Sequence, residues 1–338
     1  MRHKIALIGF GTVGQGVSEI LLDRKEFLQK KYGFEYDIVA VADLIYGNVY
    51  DPGGLDLEKL LAQAGQKKFT AHLTDWDNLT LIRQSNATII CEMTYTDLKT
   101  GGAAVDHCRA AFGAKKHLVA SNKGPAALMY TEMKRLAQKN GVQFLIEGTV
   151  CSGTPVLNLA AGPLAGCEIT AVRGIVNGTT NFMLSEMEKG MDYAAALVKA
   201  QQLGYAEADP SGDVEGYDAR AKVTILVNAV MGVPLAFTGV SCRGITGITP
   251  ADIAAARKQG ARWKLIASAE KKDGRVMASV APQLVPLSHP LAGIDGTACA
   301  LTFQTDLLGE VTITGPGAGR RETGFSILSD LLYIHRFA

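Results

Sequence analysis

The chain has 338 residues, enough for about two domains and a sizeable core. Its 34 Lys and Arg balance 33 Asp and Glu for a net charge of +1, which excludes the basic surplus of a nucleic-acid binder and the polybasic run of a membrane-surface protein. Six cysteines (91, 108, 151, 167, 242, 299) are scattered without a CxxC pair or a Cys/His cluster, which argues against a disulfide scaffold or a zinc site and for reduced thiols in the cytoplasm.

The opening MRHKIALIGFG is a short apolar run that ends in glycines, and it reads as a strand and not as a signal peptide. No window approaches about 18 uninterrupted apolar residues, so no transmembrane helix is expected. Residues 4–8 predict a strand, 9–14 a glycine turn and 13–30 a helix. A second strand, 38–42, closes on Asp43. Strands are predicted at 86–91 and 117–120, with helices at 55–64, 79–84 and 102–112. This alternation predicts a parallel sheet. A helix at 124–139 and a strand at 143–146 follow.

The pattern changes after about residue 150. A helix is predicted at 154–164, then a strand at 169–176 that runs into the polar turn NGTTN. Helices follow at 194–203 and 218–231, the second with an apolar face. Short alternating strands fill 262–287 and 298–314, and GPGAG (315–319) leads into a last helix at 326–335. The expected fold is α/β: a Rossmann-type doubly wound parallel sheet plus a second α/β domain for substrate binding and dimerisation. The expected boundaries are 1–150 with 316–338 for the dinucleotide-binding domain and 151–315 for the substrate domain.

Gly9-Phe10-Gly11-Thr12-Val13-Gly14 fits G-x-G-x-x-G directly after a strand and at the start of a helix. The first glycine permits the tight turn, the second lets the backbone approach a pyrophosphate, and the third lets helix and strand pack closely. The helix N-terminus then offers N–H groups and a partial positive charge to phosphates. A turn needed only for tight packing is the alternative. Asp43 ends the second strand, where a carboxylate suits the adenosine ribose hydroxyls, or merely ends a turn. Leu44, Ile45 and Tyr46 follow it with no Arg for a 2′-phosphate, which favours NAD over NADP.

The segment AQQLGYAEADPSGDVEGYDARAK (200–222) gathers Glu207, Asp209, Asp213, Glu215 and Asp218 near Lys222. Asp218 and Lys222 are four apart at the start of an apolar helix, so they share a face that soon becomes buried. From the residues alone, this fits either a lysine tuned for acid–base work or a structural ion pair.

The same stretch, A-x3-G-Y-x-E-x-D-P-x2-D-V-x-G-x-D-x3-K, resembles the signature of homoserine dehydrogenases. GFGTVG resembles that family's cofactor turn, and Ser121-Asn122-Lys123-Gly124-Pro125 its (T/S/A)-N-K-G-P segment. Glu147-Gly148-Thr149-Val150, then 174–181 (GIVNGTTN), then Gly317-Ala318-Gly319 with Thr323, match further family segments in order. The resemblance runs from residue 5 to about 335.

It implies reversible NAD- or NADP-dependent interconversion of L-homoserine and L-aspartate 4-semialdehyde, in threonine, methionine and isoleucine biosynthesis. By resemblance, Lys222 is the proton donor and Lys123 a second lysine near the nicotinamide and the reacting oxygen. Two ammonium groups in one cleft would lower each other's proton affinity. Glu207 and Asp218 match the homoserine-binding acids, Asp213 an acid that organises the lysine, and Gly178 and Thr179 could supply donors. Gly204, Gly319 and Thr94 match positions against the cofactor. Glu147, Val150, Ser152 and Thr154 align with a loop that holds Na⁺ or K⁺ in a structural role. The resemblance also implies a homodimer formed through the sheet of the second domain.

The chain departs from the family at Cys151-Ser152, where Gly-Gly is usual, at Cys299, where Asn is usual, and at Gly324, where Ala is usual. No kinase or ACT domain is expected, so this is the short form. Other readings have specific requirements. An aspartate-semialdehyde dehydrogenase needs a nucleophilic Cys beside a His, and only Cys151 lies in a suggestive loop. A 2-hydroxy-acid dehydrogenase needs a His–Asp pair, and the six histidines offer no such motif. A non-catalytic nucleotide sensor would not need both lysines.

Overall fold

Thirteen α-helices and twelve strands follow one another in the structure, a computed structural model that describes residues 2–338. The first unit runs up to Thr149 and takes in Gly319–Ala338; the second is Val150–Ala318.

The first unit contains β1 (Arg2–Ile8), α1 (Thr12–Tyr32), β2 (Glu35–Asp43), β3 (Gly47–Tyr50), α2 (Leu57–Gly65) and α3 (Asn78–Gln84). Then come β4 (Ile89–Glu92), α4 (Gly102–Gly113), β5 (His117–Ala120), α5 (Lys123–Leu128), α6 (Tyr130–Lys139) and β6 (Phe144–Leu145). The sheet order is β3-β2-β1-β4-β5-β6, parallel except where β3 folds back antiparallel on β2. That hairpin departs from the all-parallel expectation and gives the sheet an antiparallel edge. Register aligns the strand ends: Ile8 pairs with Ala42 and Glu92, and Glu92 with Ala120. The loops after β1, β2, β4 and β5 therefore share one rim, the carboxyl edge where ligands bind in open α/β sheets.

The second unit contains α7 (Val156–Ala161), β7 (Ile169–Ile175), α8 (Gly178–Glu188), α9 (Tyr193–Gln202), α10 (Ser211–Val214) and α11 (Tyr217–Ala229). It continues with β8 (Ser241–Cys242), α12 (Pro250–Lys258), β9 (Ala261–Lys272), β10 (Arg275–Pro286), β11 (Ala298–Thr305) and β12 (Gly309–Pro316). Its sheet, β12-β11-β7-β9-β10-β8, is antiparallel apart from the β10–β8 pair. The strands expected to be short are not. β9 and β10 are twelve residues each. Asp273 and Gly274 join them, both at positive φ, as a tight hairpin demands.

The chain then returns to the first unit as α13 (Arg320–Phe337), which begins six residues before the expected helix. Ile327, Leu328, Leu331 and Ile334 of α13 join Val17 and Leu21 of α1 and Ile5 and Leu7 of β1 in one buried core. Helices α1 and α13 cross closely through two glycines. A Cβ at Gly324 would lie 2.6 Å from the Val17 nitrogen, and one at Gly16 would strike the Arg320 carbonyl. This accounts for Gly324 where the family usually has Ala.

Candidate active site

The glycine turn is built as its spacing requires. Gly9 adopts φ +94°, and a Cβ there would lie 2.6 Å from the Met93 carbonyl oxygen. A Cβ on Gly14 would strike the Gly9 carbonyl, whereas at Gly11 it would meet nothing within 4 Å. Gly11 is the N-cap of α1, with no side-chain cap and no acid in the first turn. The α1 N–H groups and the open face at Gly11 fit a dinucleotide pyrophosphate. Phe10 contributes backbone only, because its ring is buried against Phe69 and Tyr46. Thr12 is exposed at the start of α1, and Val13 packs on the core.

Asp43 holds a turn, the second of the two roles expected of it, and reaches the glycine turn as well. Its Oδ2 accepts the Phe10 N–H at 2.8 Å, and its Oδ1 accepts those of Ile45 and Tyr46 at 2.8 and 3.3 Å. It ties the glycine turn to the end of β2. Leu44 and Ile45 beside it are largely exposed, at 99% and 68%.

The β4 and β5 ends carry the next group. Asn122 Nδ2 donates to the Thr94 carbonyl and hydroxyl at 3.1 and 3.2 Å, and to the Tyr95 carbonyl at 3.0 Å. Its Oδ1 caps α5 by accepting the Gly124 N–H at 2.9 Å. Lys123 is the first residue of α5, and its N–H donates to Thr96 Oγ1 at 3.3 Å.

In the second unit Lys222 and Asp218 meet across one turn of α11, Nζ to Oδ2, at 2.6 Å. Lys222 Nζ also donates to the Val176 carbonyl at 2.7 Å. Asn177 binds both acids, donating to Asp213 Oδ1 at 2.6 Å and Asp218 Oδ2 at 3.0 Å. Its own Oδ1 caps α8 through the Thr180 N–H at 2.9 Å. The turn expected at NGTTN is thus a helix start, and Asn177, which lies in the family-like segment 174–181, is a site residue whose helix-capping chemistry was a further signal.

Burial works against the Lys222 ammonium. Asp218 and the nearby Cys299 and Cys151 sulfurs outweigh it and hold its proton affinity above that of an ordinary lysine. That reverses the expected lowering. Burial, then the Asp218 charge, pushes Asp213 up, against hydrogen bonds from Asn177 and Thr179.

Of the remaining positions, Thr179 touches this network through Asp213. Glu207 is exposed before α10, and its carbonyl accepts from Gln201. Thr179 Oγ1 donates to the Tyr205 carbonyl at 2.7 Å. Gly178 opens α8, where a Cβ would lie 2.6 Å from the Thr297 carbonyl. Gly204 follows α9 at φ +74°, and Gly319 is the N-cap of α13.

The homoserine dehydrogenase family model matches residues 155–332. The chain is 45% identical to the NAD(+)-dependent homoserine dehydrogenase of Pseudomonas canavaninivorans, over 99% of this chain and 97% of that protein. It is 41% identical to the homoserine dehydrogenase of Methanocaldococcus jannaschii over 98% of each. The chain belongs to the homoserine dehydrogenase family. It is an NAD(P)-dependent oxidoreductase. A hyperthermophilic archaeal homoserine dehydrogenase solved with NADPH superposes with a TM-score of 0.85 at 27% identity, over 98% of this chain and 97% of that one.

Two departures from the family pattern turn out to be neighbours. Cys151 and Cys299 are buried and hydrogen-bonded to each other beside Lys222. The contact, with burial, raises the proton affinity of the Cys151 thiol, and the contact and the Lys222 charge lower that of Cys299. Their 148-residue separation gives no sequence signal for this contact.

The expected cation residues are placed as follows. Glu147 is buried, and its N–H donates to Asp330 at 3.0 Å. Val150 is buried at the start of the second unit, and Cys151 and Ser152 are both at positive φ. Thr154 Oγ1 donates to the Pro316 carbonyl at 3.1 Å. Among the described residues no three His, Cys, Asp or Glu side chains gather as a metal site. Backbone carbonyls and hydroxyls are the donors such a loop offers, and these suit a hard monovalent ion.

Proposed function

We propose that Lys222 is the proton-transfer group with which this homoserine dehydrogenase interconverts L-homoserine and L-aspartate 4-semialdehyde. The observation that carries it is the pair of buried Lys222 with half-buried Asp218, fixed at Nζ by the Val176 carbonyl. A lysine held as ammonium can give a proton to the aldehyde oxygen in reduction and must be neutral to take one from the alcohol in oxidation. NAD(P), when bound, exchanges the hydride with the substrate carbon.

Asp218 and Glu207 meet the substrate ammonium, and the Gly178 N–H and Thr179 hydroxyl meet its carboxylate. Asp213 and Asn177 hold Asp218 in place. Gly9–Gly14, Thr94, Gly204 and Gly319 hold the cofactor, and Lys123 attends its nicotinamide end. Asp43 takes the adenosine ribose and favours NAD over NADP, supported by the apolar residues that follow it. Glu147, Val150, Ser152 and Thr154 hold Na⁺ or K⁺ in a structural role. The reading includes a homodimer through the second unit's sheet and a cytoplasmic setting for the unpaired thiols. Among the described residues no helix is long and apolar enough to cross a membrane.

The test is homoserine oxidation at alkaline pH. Lys222→Ala should bind NAD as wild type does and lose about 100-fold or more in kcat. A wild-type kcat would remove Lys222 from the chemistry. In the same assay kcat/KM should be higher with NAD than with NADP; the reverse order would refute the role given to Asp43.

A further inference from the structure

A buried carboxylate in the first unit is left unused by the roles above. Glu92, the last residue of β4, is 0% exposed, and His107, on α4, is 3% exposed. His107 Nδ1 lies 2.5 Å from Glu92 Oε2. A carboxylate only accepts here, so Nδ1 carries the proton, and Nε2 faces Asn78 Nδ2 at 3.4 Å. The other oxygen, Glu92 Oε1, accepts the Thr94 N–H at 2.9 Å and the Thr94 hydroxyl.

This pair is the middle of a hydrogen-bonded chain along the rim of the sheet. At one end Asp43 N donates to Asn48 Oδ1 at 3.1 Å, and Asn48 Nδ2 donates to Asn78 Oδ1 at 3.3 Å. Asn78 meets His107, His107 meets Glu92, and Glu92 holds Thr94. Asn122 then binds Thr94 and caps the helix that Lys123 begins. One continuous path joins the loop after β2 to the loops after β4 and β5. Burying a carboxylate and an imidazole away from water is costly unless both are hydrogen-bonded, and a well-packed apolar pair often serves the fold as well or better. The placement, with both Glu92 oxygens committed and one of them to Thr94, marks a geometric task beyond stability.

We propose that Glu92 and His107 are a buried positioning pair that sets Thr94 and, through Asn122, Lys123. The pair thereby governs turnover more than dinucleotide affinity. Neither residue touches substrate or cofactor; both act through Thr94 and Asn122. The proposal rests on the roles given above to Thr94 and Lys123. The glycine turn has its own tie, Phe10 N–H to Asp43, so the phosphate-binding part of cofactor affinity does not depend on the pair, which acts on the cofactor only through Thr94.

The test uses the full-length enzyme with Glu92→Gln, His107→Leu, His107→Asn and Lys123→Ala. NAD affinity is measured by titration, kcat with L-homoserine, and folding by circular dichroism and gel filtration. Misplacing a reacting group by about 1 Å costs up to roughly 100-fold in rate. His107→Leu and Glu92→Gln should therefore lose about 10- to 100-fold in kcat, with NAD affinity within about threefold of wild type. Asn places its amide near the Nδ1 position, so His107→Asn should recover most of kcat. If His107→Leu does not fold, Glu92→Gln and His107→Asn carry the test by the same readouts. The proposal is overturned if both loss variants keep a wild-type kcat, if NAD affinity falls in step with kcat, or if His107→Asn is no better than His107→Leu. Lys123→Ala separates the two levels. If it keeps a full kcat, the reading of Lys123 fails; if it loses kcat while the loss variants keep theirs, the pair alone is refuted.

Discussion

Against burial, the proton of Lys222 is held by one neighbour above all. Asp218 sits 2.6 Å away and, with the two sulfurs, overcomes the burial that would otherwise drive the proton off. Replacing Asp218 by Asn leaves burial unopposed by that charge, so the lysine should release its proton at lower pH. In the role proposed for Lys222, oxidation of homoserine needs the neutral amine, and kcat/KM reports ionisation of the free enzyme. The alkaline rise of kcat/KM should therefore move about 1 to 3 pH units lower in Asp218→Asn, the span over which a close opposite charge acts. A rise at the wild-type pH would show that Lys222 is not the titrating group. The linkage to stability has a definite sign. A lysine whose proton affinity is raised by folding stabilises the fold fully below its unfolded pKa, and that contribution is lost as pH rises through the folded value. The Lys222–Asp218 contribution should thus be present throughout the neutral range.

Among the elements, the β1–α1 turn has the least freedom. Gly9 combines φ +94° with backbone of the β4 loop 2.6 Å from where a Cβ would sit. A side chain at such a φ costs about 1–3 kcal/mol, and the contact with Met93 adds to it. Gly9→Ala should lower the unfolding midpoint and weaken NAD binding by more than tenfold. Wild-type affinity would show that the turn does not hold the dinucleotide. This turn was legible in the sequence because its glycines, strand and helix are adjacent in the chain. So was the Asp218–Lys222 pair, four residues apart on one helix. Helix α8 was not, because Asn and Thr signal turns and caps alike, and the turn reading hid the cap. Helix α12 had a usable signal, a Thr249–Asp252 capping box with Pro250 at its start. Glu92 with His107, and Cys151 with Cys299, had none. They meet only once a strand and a helix, or a loop and a distant strand, have packed.

At the scale of the whole molecule, the chain leaves the first unit at residue 149 and comes back to it at 319. The returning α13 is fastened to α1 in three ways. Four buried aliphatics, Ile327, Leu328, Leu331 and Ile334, complete the first unit's core. Gly324 and Gly16 allow a close crossing of the helix backbones. Arg320 pairs with Glu19 through two nitrogens, and Arg321 with Asp23 at 2.8 Å. Asp330, also on α13, accepts the Glu147 N–H just before the chain enters the second unit. The ion pairs are partly exposed and contribute little. The aliphatics decide the outcome, since removing each from a core costs about 2–5 kcal/mol. Their sum is comparable to the roughly 5–15 kcal/mol that stabilises a whole protein. Truncation after Ala318 should therefore unfold the first unit and abolish NAD binding, although the glycine turn, Asp43 and Lys123 all remain in the chain. Residues 150–318 form an uninterrupted unit and should keep a protease-resistant core in the same truncated protein. Limited proteolysis with mass spectrometry, alongside NAD titration, reads both outcomes. NAD binding by the truncated chain would mean that the first unit holds its fold without α13.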